Sequence, residues 1–425
     1  MSATRIATTG RKKATGHRSS AMGGAAKPSA TRGHEFQNTS RTEGAKDSRG
    51  WRQTVLGKIL PLKYGKARSP QFGYLRPDTS TFGSNGVFGT YDRALTTKPT
   101  LIVGRKGAAG AVHFSEEPCW PIDTAFYTEG TDETFLPFFR YLLESLQLVA
   151  LDRSTAIPSL SRDDYNSKTI CYPESLDKQH HIVAEIEKQF TRLDAGVAAL
   201  RRVQANLKRY RAAVLKAACE GRLVPSDMRA WKQLKVSEIG EAITGNTPPT
   251  SDTENLGDEL PFFKPTDLDA GYNVREARQY LSAKGAKLAR VLPNGAVLVT
   301  CIGATIGKTG FARVDCATNQ QINALVVNPK IAIPSWAFWL FSSPLGQQQI
   351  KSKASATTLA ILNKSKFEAL EFPIPPLAEQ TRIVAEVERR LSVVEELEAA
   401  VAGNLKRAQA LRQSILKQAF EGKLA

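Results

Sequence analysis

Along residues 179–223, apolar side chains recur at Ile182, Ile186, Phe190, Leu193, Val197, Leu200, Leu207 and Val214. The steps are three or four, or their sum, which keeps one stripe on one face of a helix. Residues 380–424 repeat the pattern at Ile383, Val387, Leu391, Val394, Val401, Leu405 and Ile415. The copies align without a gap, because Ile182 and Ile383 are 201 positions apart and so are Leu223 and Leu424. Neither copy has an internal proline, and both end in Glu-Gly, at Gly221 and Gly422, where left-handed geometry stops a helix. At 1.5 Å per residue such a helix reaches roughly 60 Å, too far for one ordinary domain to wrap. The stripe needs a partner, and the matching register points to the other copy. The pattern therefore predicts an antiparallel coiled coil with Leu193, Val197, Leu200, Val394 and Val401 buried between its helices.

The rest of the chain is mixed and also written twice. In residues 51–178, Trp51 and Leu56-Gly57 precede a Gly-rich turn, Phe82-Gly83-Ser84-Asn85-Gly86. The apolar run Thr100-Leu-Ile-Val103 reads as a buried strand entering the loop Gly104-Arg105-Lys106-Gly107-Ala-Ala-Gly110, and residues 133–149 have helical spacing. Residues 231–375 replay this plan. Trp231 and Ile239-Gly240 open it, the strand Ala296–Thr300 runs into the loop 301–310, and a helix is expected over 335–352. Gly107 matches Gly303, Gly110 matches Gly307 and Cys119 matches Cys316. The fold class is α+β, a pseudo-two-fold tandem repeat of domain, long helix, domain, long helix. Its expected segments are 51–178, 179–223, 224–375 and 376–425, after an N-terminal extension over 1–50. The helices stay similar while the domains share a plan but not their residues. That asymmetry suggests two readers of different targets, held apart by a spacer.

Charge narrows the class of target. The 425 residues carry a net charge of +17, which suggests a polyanionic partner. Residues 1–50 hold ten Lys/Arg against Glu35, Glu43 and Asp47 and show no hydrophobic period, so they are expected to be disordered. A basic arm on nucleic acid, a transit peptide and non-native coding upstream of the true start are the other readings of that segment. The five cysteines, at 119, 171, 219, 301 and 316, have no metal-ligand spacing and suit reduced thiols in a cytoplasm. No apolar run approaches transmembrane length, and no signal-peptide core is present.

The layout resembles the specificity subunit of type I restriction-modification systems, over about 51–425. The resemblance rests on Gln-x-x-Ile-Val-Ala-Glu at 179–185 and 380–386, on the Glu-Gly-[Arg/Lys]-Leu ends, and on Pro-Ile-Pro-Pro-Leu-Ala-Glu-Gln at 373–380. The first copy departs from that lead-in, reading Tyr172-Pro-Glu-Ser-Leu-Asp-Lys-Gln179. The resemblance implies two target recognition domains, each for half of a split sequence in double-stranded DNA. It implies paired helices that set the gap and dock two copies of a methyltransferase subunit, with a restriction/translocase subunit joining them. It also implies that this subunit has no cofactor, while its partners use S-adenosylmethionine, ATP and Mg2+.

Candidate DNA contacts follow from residue chemistry. Arg105 and Lys106 on a Gly-rich loop suit phosphate or guanine, and Lys308 and Thr309, in the matching loop, suit the phosphate backbone. Ser84-Asn85 and Asn319-Gln320 offer the hydroxyl and amides that read base edges, although Gln321 onward also has the pattern of a strand. Gly303-Ala-Thr-Ile-Gly307-Lys308-Thr309 nearly spells a P-loop but has three residues between its glycines where that motif needs four. No methyltransferase motif or S-adenosylmethionine fingerprint occurs, and His17, His34, His113, His180 and His181 form no triad. The competing readings are a coiled-coil scaffold whose mixed domains bind protein or small ligands, and a P-loop nucleotide-binding protein.

Overall fold

The structure, a computed structural model, describes residues 46–424 except 48, 69–77, 132–133, 152–157, 250 and 356–359. Most of the segment expected to be disordered, 1–50, lies outside the described residues. Its described end is structured, however. Asp47 accepts from the backbone N–H of Arg49 and Trp51, and the Arg49 guanidinium lies 4.2 Å over the Trp51 ring.

The two long helices are Leu176–Cys219 and Leu377–Phe420, 44 residues each, or about 66 Å. Their ends keep the 201-residue offset of the sequence repeat. Both start about three residues before the repeated Gln and stop at its Glu-Gly. There Gly221 and Gly422 adopt φ of 66° and 73°, and the N–H groups of Arg222 and Lys423 donate back to the carbonyls of Ala217 and Gln418. Any side chain with a Cβ would be strained at those two positions.

The helices pair antiparallel. Val183, Ile186 and Phe190, at the start of the first, share a core with Ile415, Leu416 and Ala419, at the end of the second. Leu207, Val214, Leu215, Ala218 and Cys219 share the other core with Ile383, Val387, Leu391, Val394 and Val401. Charge specifies the direction. Acids are confined to the first half of each helix, and the second halves, 195–219 and 399–420, carry only Lys and Arg as charged residues. Arg211 therefore meets Glu395 at 3.1 Å, and Arg412 meets Asp194 at 3.3 Å. These are one ion pair seen twice, since both partners recur 201 positions on. A parallel pair would set the basic halves side by side. Each bridge is exposed and contributes at most about 1 kcal/mol, so it acts mainly on direction and register.

Burial along the stripe is uneven. Ile186, Phe190, Ile383, Val387, Leu391, Val394 and Val401 are buried. Ile182, Leu193, Val197, Leu200 and Leu405 are half-buried. The expectation that Leu193, Val197 and Leu200 are buried between the helices is thus corrected. Together with Gly196, Leu411 and Ile415 they line an open groove of about 960 Å³. Gly196 and Ala408 leave no bulk there, and among the described residues the groove is lined by the two helices and Leu424.

Each domain sits on one end of the pair. Its central sheet is antiparallel and has one strand order in both copies. In the first copy the order is Lys63–Tyr64, Ala125–Glu129, Thr100–Gly104, Val112–Ser115. In the second it is Gly240–Thr244, Ile322–Val327, Val297–Thr300, Thr309–Phe311. Thr100–Gly104 and Val297–Thr300 are buried on both faces, which is why each reads as an unbroken apolar run. Leu101 and Val103 face the helix Leu136–Ser145 and the long helices, while Ile102 faces a distal strand layer with Phe82 and Cys119. The helix Pro334–Ser342 takes the place of Leu136–Ser145. The single helix expected over 335–352 breaks at Ser343, which precedes Pro344 and is extended, and whose hydroxyl caps the next helix, Pro344–Lys353.

The chain clasps each domain shut where it meets its long helix. Arg52–Val55 pairs with Thr169–Tyr172, and Lys232–Lys235 pairs with Glu371–Ile374. The repeated glutamines fasten the junction. Gln380 is fully buried; its Oε1 accepts from Ile333 N–H at 2.8 Å, and its Nε2 donates to the carbonyls of Pro375 and Ile331. Gln179 does the same with Phe135 N–H and the Pro173 carbonyl. A Gln amide presents a carbonyl acceptor and an NH2 with two donors on separate atoms, which suits the bonding to both sides of the junction at which each repeat opens.

Candidate nucleic-acid interface

The candidate residues of both domains gather at one end of their central sheets. In the first domain, Gly107 N–H donates to Pro158 O at 3.0 Å and Leu160 N–H to Arg105 O at 2.9 Å. In the second, Gly303 N–H donates to Ala360 O at 3.0 Å and Leu362 N–H to Cys301 O at 2.8 Å. The four matched glycines all have positive φ: 81° and 100° at Gly107 and Gly303, 78° and 88° at Gly110 and Gly307. One loop is therefore built twice, with one extra residue in the second copy.

That equivalence corrects the matching of the charged pairs. Arg105 and Lys106 stand opposite Cys301 and Ile302, on the outgoing limb. Lys308 stands opposite Ala111 on the returning limb, since both of their carbonyls accept from the residue that ends the central strand. Thr309 begins the strand Thr309–Phe311, and its hydroxyl donates to Gly307 O at 3.0 Å. A P-loop leads into a helix, whereas this loop returns into the sheet, so the nucleotide-binding reading fails on topology as well as spacing.

Ser84 and Asn85 form the tip of the hairpin Thr79–Gly83 to Gly86–Tyr91, and this tip lies against the Gly104–Gly110 loop. Ser84 is buried, Asn85 and Lys106 are exposed, and Arg105 is half-buried. In the second domain Lys308 is paired with Asp269 at 2.6 Å. Asn319 is buried, with both ends of its amide bonded to Gln321, and is committed to the loop. Gln320 is exposed, and its Oε1 accepts from the Thr247 hydroxyl at 2.7 Å.

Sequence reasoning missed the segment 264–279, which replaces the short Ser84-Asn85 turn in the second domain. Its Tyr272 stacks on Trp339 at 4.6 Å and on Phe311 at 5.2 Å, beneath the Arg313 guanidinium. Burial, followed by the hydrogen bond to Glu388 of the second long helix, pushes the Tyr272 hydroxyl up to about 12, so it stays a donor. The one aromatic residue of that loop, Tyr272, was the available signal.

Nucleophilic chemistry finds no support at the remaining candidates. Burial pushes the thiols of Cys301 and Cys316 up to about 12 and that of Cys219 up to about 11, which leaves them protonated and inert. His113 Nε2 is bonded to Ser84 O at 3.0 Å, and His180 stacks on Phe135. Among the described residues no His/Cys/Asp/Glu group could hold a metal ion, and no helix is long and apolar enough to cross a membrane.

This architecture defines a class of bipartite scaffold, in which paired antiparallel helices hold two domains of one plan at a set distance. Residues 228–399 match the type I restriction modification DNA specificity domain. The EcoBI specificity subunit of Escherichia coli is 26% identical over 82% of this chain and 78% of its own length. The HindI specificity subunit of Haemophilus influenzae is 30% identical over 39% of this chain and 37% of its own. A chain from a structural study of assembly and conformational transition in the type I R-M system shares the fold. It has a TM-score of 0.69 at 20% identity, covering 89% of this chain and all of that one. Over most of its length the chain is thus similar to type I restriction enzyme specificity subunits, and its residues 228–399 carry their DNA specificity domain.

Proposed function

We propose that this chain is the DNA-reading, non-catalytic subunit of a type I restriction-modification complex. Residues 51–178 and 224–375 form two recognition domains, each for one half of a split target, and the long helices keep the halves apart. The observation that carries this reading is the doubled construction. One loop, with one set of backbone bonds, presents different side chains at the same end of each sheet, and each domain clasps an opposite end of one helix pair. A single-site binder needs no such duplication. Exposed Asn85, Lys106 and Gln320, with Arg105, Lys308 and Thr309 beside them, are the contacts assigned here, while Ser84 and Asn319 shape the loops that carry them. Methyltransferase subunits, two by the symmetry of the scaffold, dock along the helices, and the nuclease/translocase subunit joins that assembly. S-adenosylmethionine, ATP and Mg2+ belong to those partners.

Salt dependence tests the class of ligand. Phosphate contacts release counterions, so DNA affinity should fall steeply as salt rises, by about 0.9 in log K per contact for each tenfold. A flat response would favour the scaffold that binds protein or small ligands. Asp269→Asn should tighten DNA binding severalfold and steepen the slope, because it frees Lys308 for a phosphate. An unchanged or shallower slope in a titration against salt would show that Lys308 does not reach the backbone.

A further inference from the structure

Tyr64 is an exposed aromatic residue at the edge of the first domain's central sheet, 48% accessible, beside the Gly104–Gly110 loop. Two guanidinium groups lie on its ring. Those of Arg105 and Arg162 are both 5.1 Å from its centroid, so the two charges sit within about 10 Å of each other. Arg105 is further fixed by the Phe126 ring, at 5.9 Å, and by a bond from its Nη1 to the Asp123 carbonyl at 2.9 Å. Tyr64 is itself propped edge-on by Phe126, with centroids 5.0 Å apart. Among the described residues neither guanidinium has a carboxylate partner. Two unneutralised cations gathered on one exposed ring repel each other, and an anion bridging them would relieve that repulsion.

The second domain lacks this arrangement at every equivalent position. Backbone pairing puts Thr244 where Tyr64 stands, and Cys301 where Arg105 stands. Lys364 replaces Arg162 as the first residue of the matching short helix, and it is paired with Glu368 at 3.6 Å. Thr244 instead donates to Asn323 at 2.7 Å. We infer that Arg105 and Arg162, held by Tyr64 as a positioning residue, form a phosphate clamp found only in the first domain. It grips the DNA backbone without regard to sequence beside the first half-site, so the two domains hold DNA unequally. The inference rests on the DNA-reading function proposed above.

The test measures DNA affinity of the assembled complex against salt, on target and non-target duplexes. Arg162→Gln should make the slope of log K shallower by about 0.9 on both duplexes. Tyr64→Leu should lower it at least as much, Tyr64→Phe should keep the wild-type slope by retaining the ring, and Lys364→Gln should leave it unchanged. Thermal unfolding of each variant confirms that the fold is kept. A wild-type slope for Arg162→Gln overturns the clamp, and so does a loss confined to one base pair of the target, which would make Arg162 a base reader. Absence of salt-dependent DNA binding in the wild-type complex would instead remove the function itself, and the clamp with it.

Discussion

Adding one helical turn to both long helices lengthens the unread gap between half-sites by one or two base pairs and leaves the half-sites unchanged. The turn adds about 5.4 Å, and DNA advances about 3.4 Å per base pair. Both helices must be extended, because each domain clasps both. The first domain holds residues 183–190 with 415–419, and the second holds 207–219 with 383–401. Lengthening one helix alone would strain the register set by Arg211 with Glu395 and Asp194 with Arg412. The matched points are after Ala205 and after Lys406, which are equivalent in the repeat and lie between the clasped ends. Four residues, Leu-Lys-Glu-Ala, keep the apolar stripe near register. Two would turn it by about 200° and should destroy the pairing. Mapping of modified adenines, with the partner methyltransferase co-expressed, reads the gap directly. An unchanged gap at full activity would leave the helices a docking role only.

Gln380→Leu lowers the stability of the second domain by about 3 kcal/mol. The substitution keeps the size but strands Ile333 N–H and the carbonyls of Pro375 and Ile331 in a buried site, and each unsatisfied group costs about 1–3 kcal/mol. Gln179→Leu should cost less, since it strands two groups and its bond from Phe135 N–H is 3.3 Å long. Thermal unfolding followed through Trp231, Trp336 and Trp339, all in or packed on the second core, would report the larger shift. Equal, small shifts for both variants would show that the glutamines are not what fastens helix to domain.

The doubled helices were legible in the sequence because a period near 3.6 and an uninterrupted register leave few other structures. The central strands were legible because burial on both faces demands a continuous apolar run. The match of Gly107 with Gly303 and of Gly110 with Gly307 was legible because positive φ selects glycine wherever the loop is built. What escaped depends on partners far apart in sequence. Gly196 stands beside Val197, but nothing local to Leu193, Val197 and Leu200 tells that Ala408 of the other helix lies across from it and leaves a groove there. The alignment of Lys308 with Arg105-Lys106 erred because one inserted residue moves a charge from one limb of a loop to the other. Lys308 looks free in sequence and meets Asp269 only because a 16-residue segment replaces a two-residue turn. Tyr64 and Arg162 are 98 positions apart, and no pattern in either neighbourhood joins them.

The most direct measurement is single-molecule sequencing of DNA modified by the complex of this chain with its methyltransferase partner. The account predicts two short defined half-sites divided by an undefined gap of constant length, with one set of base preferences for each domain. A continuous target, or a gap that varies from site to site, would contradict the claim that the helix pair holds two independent readers at a set distance.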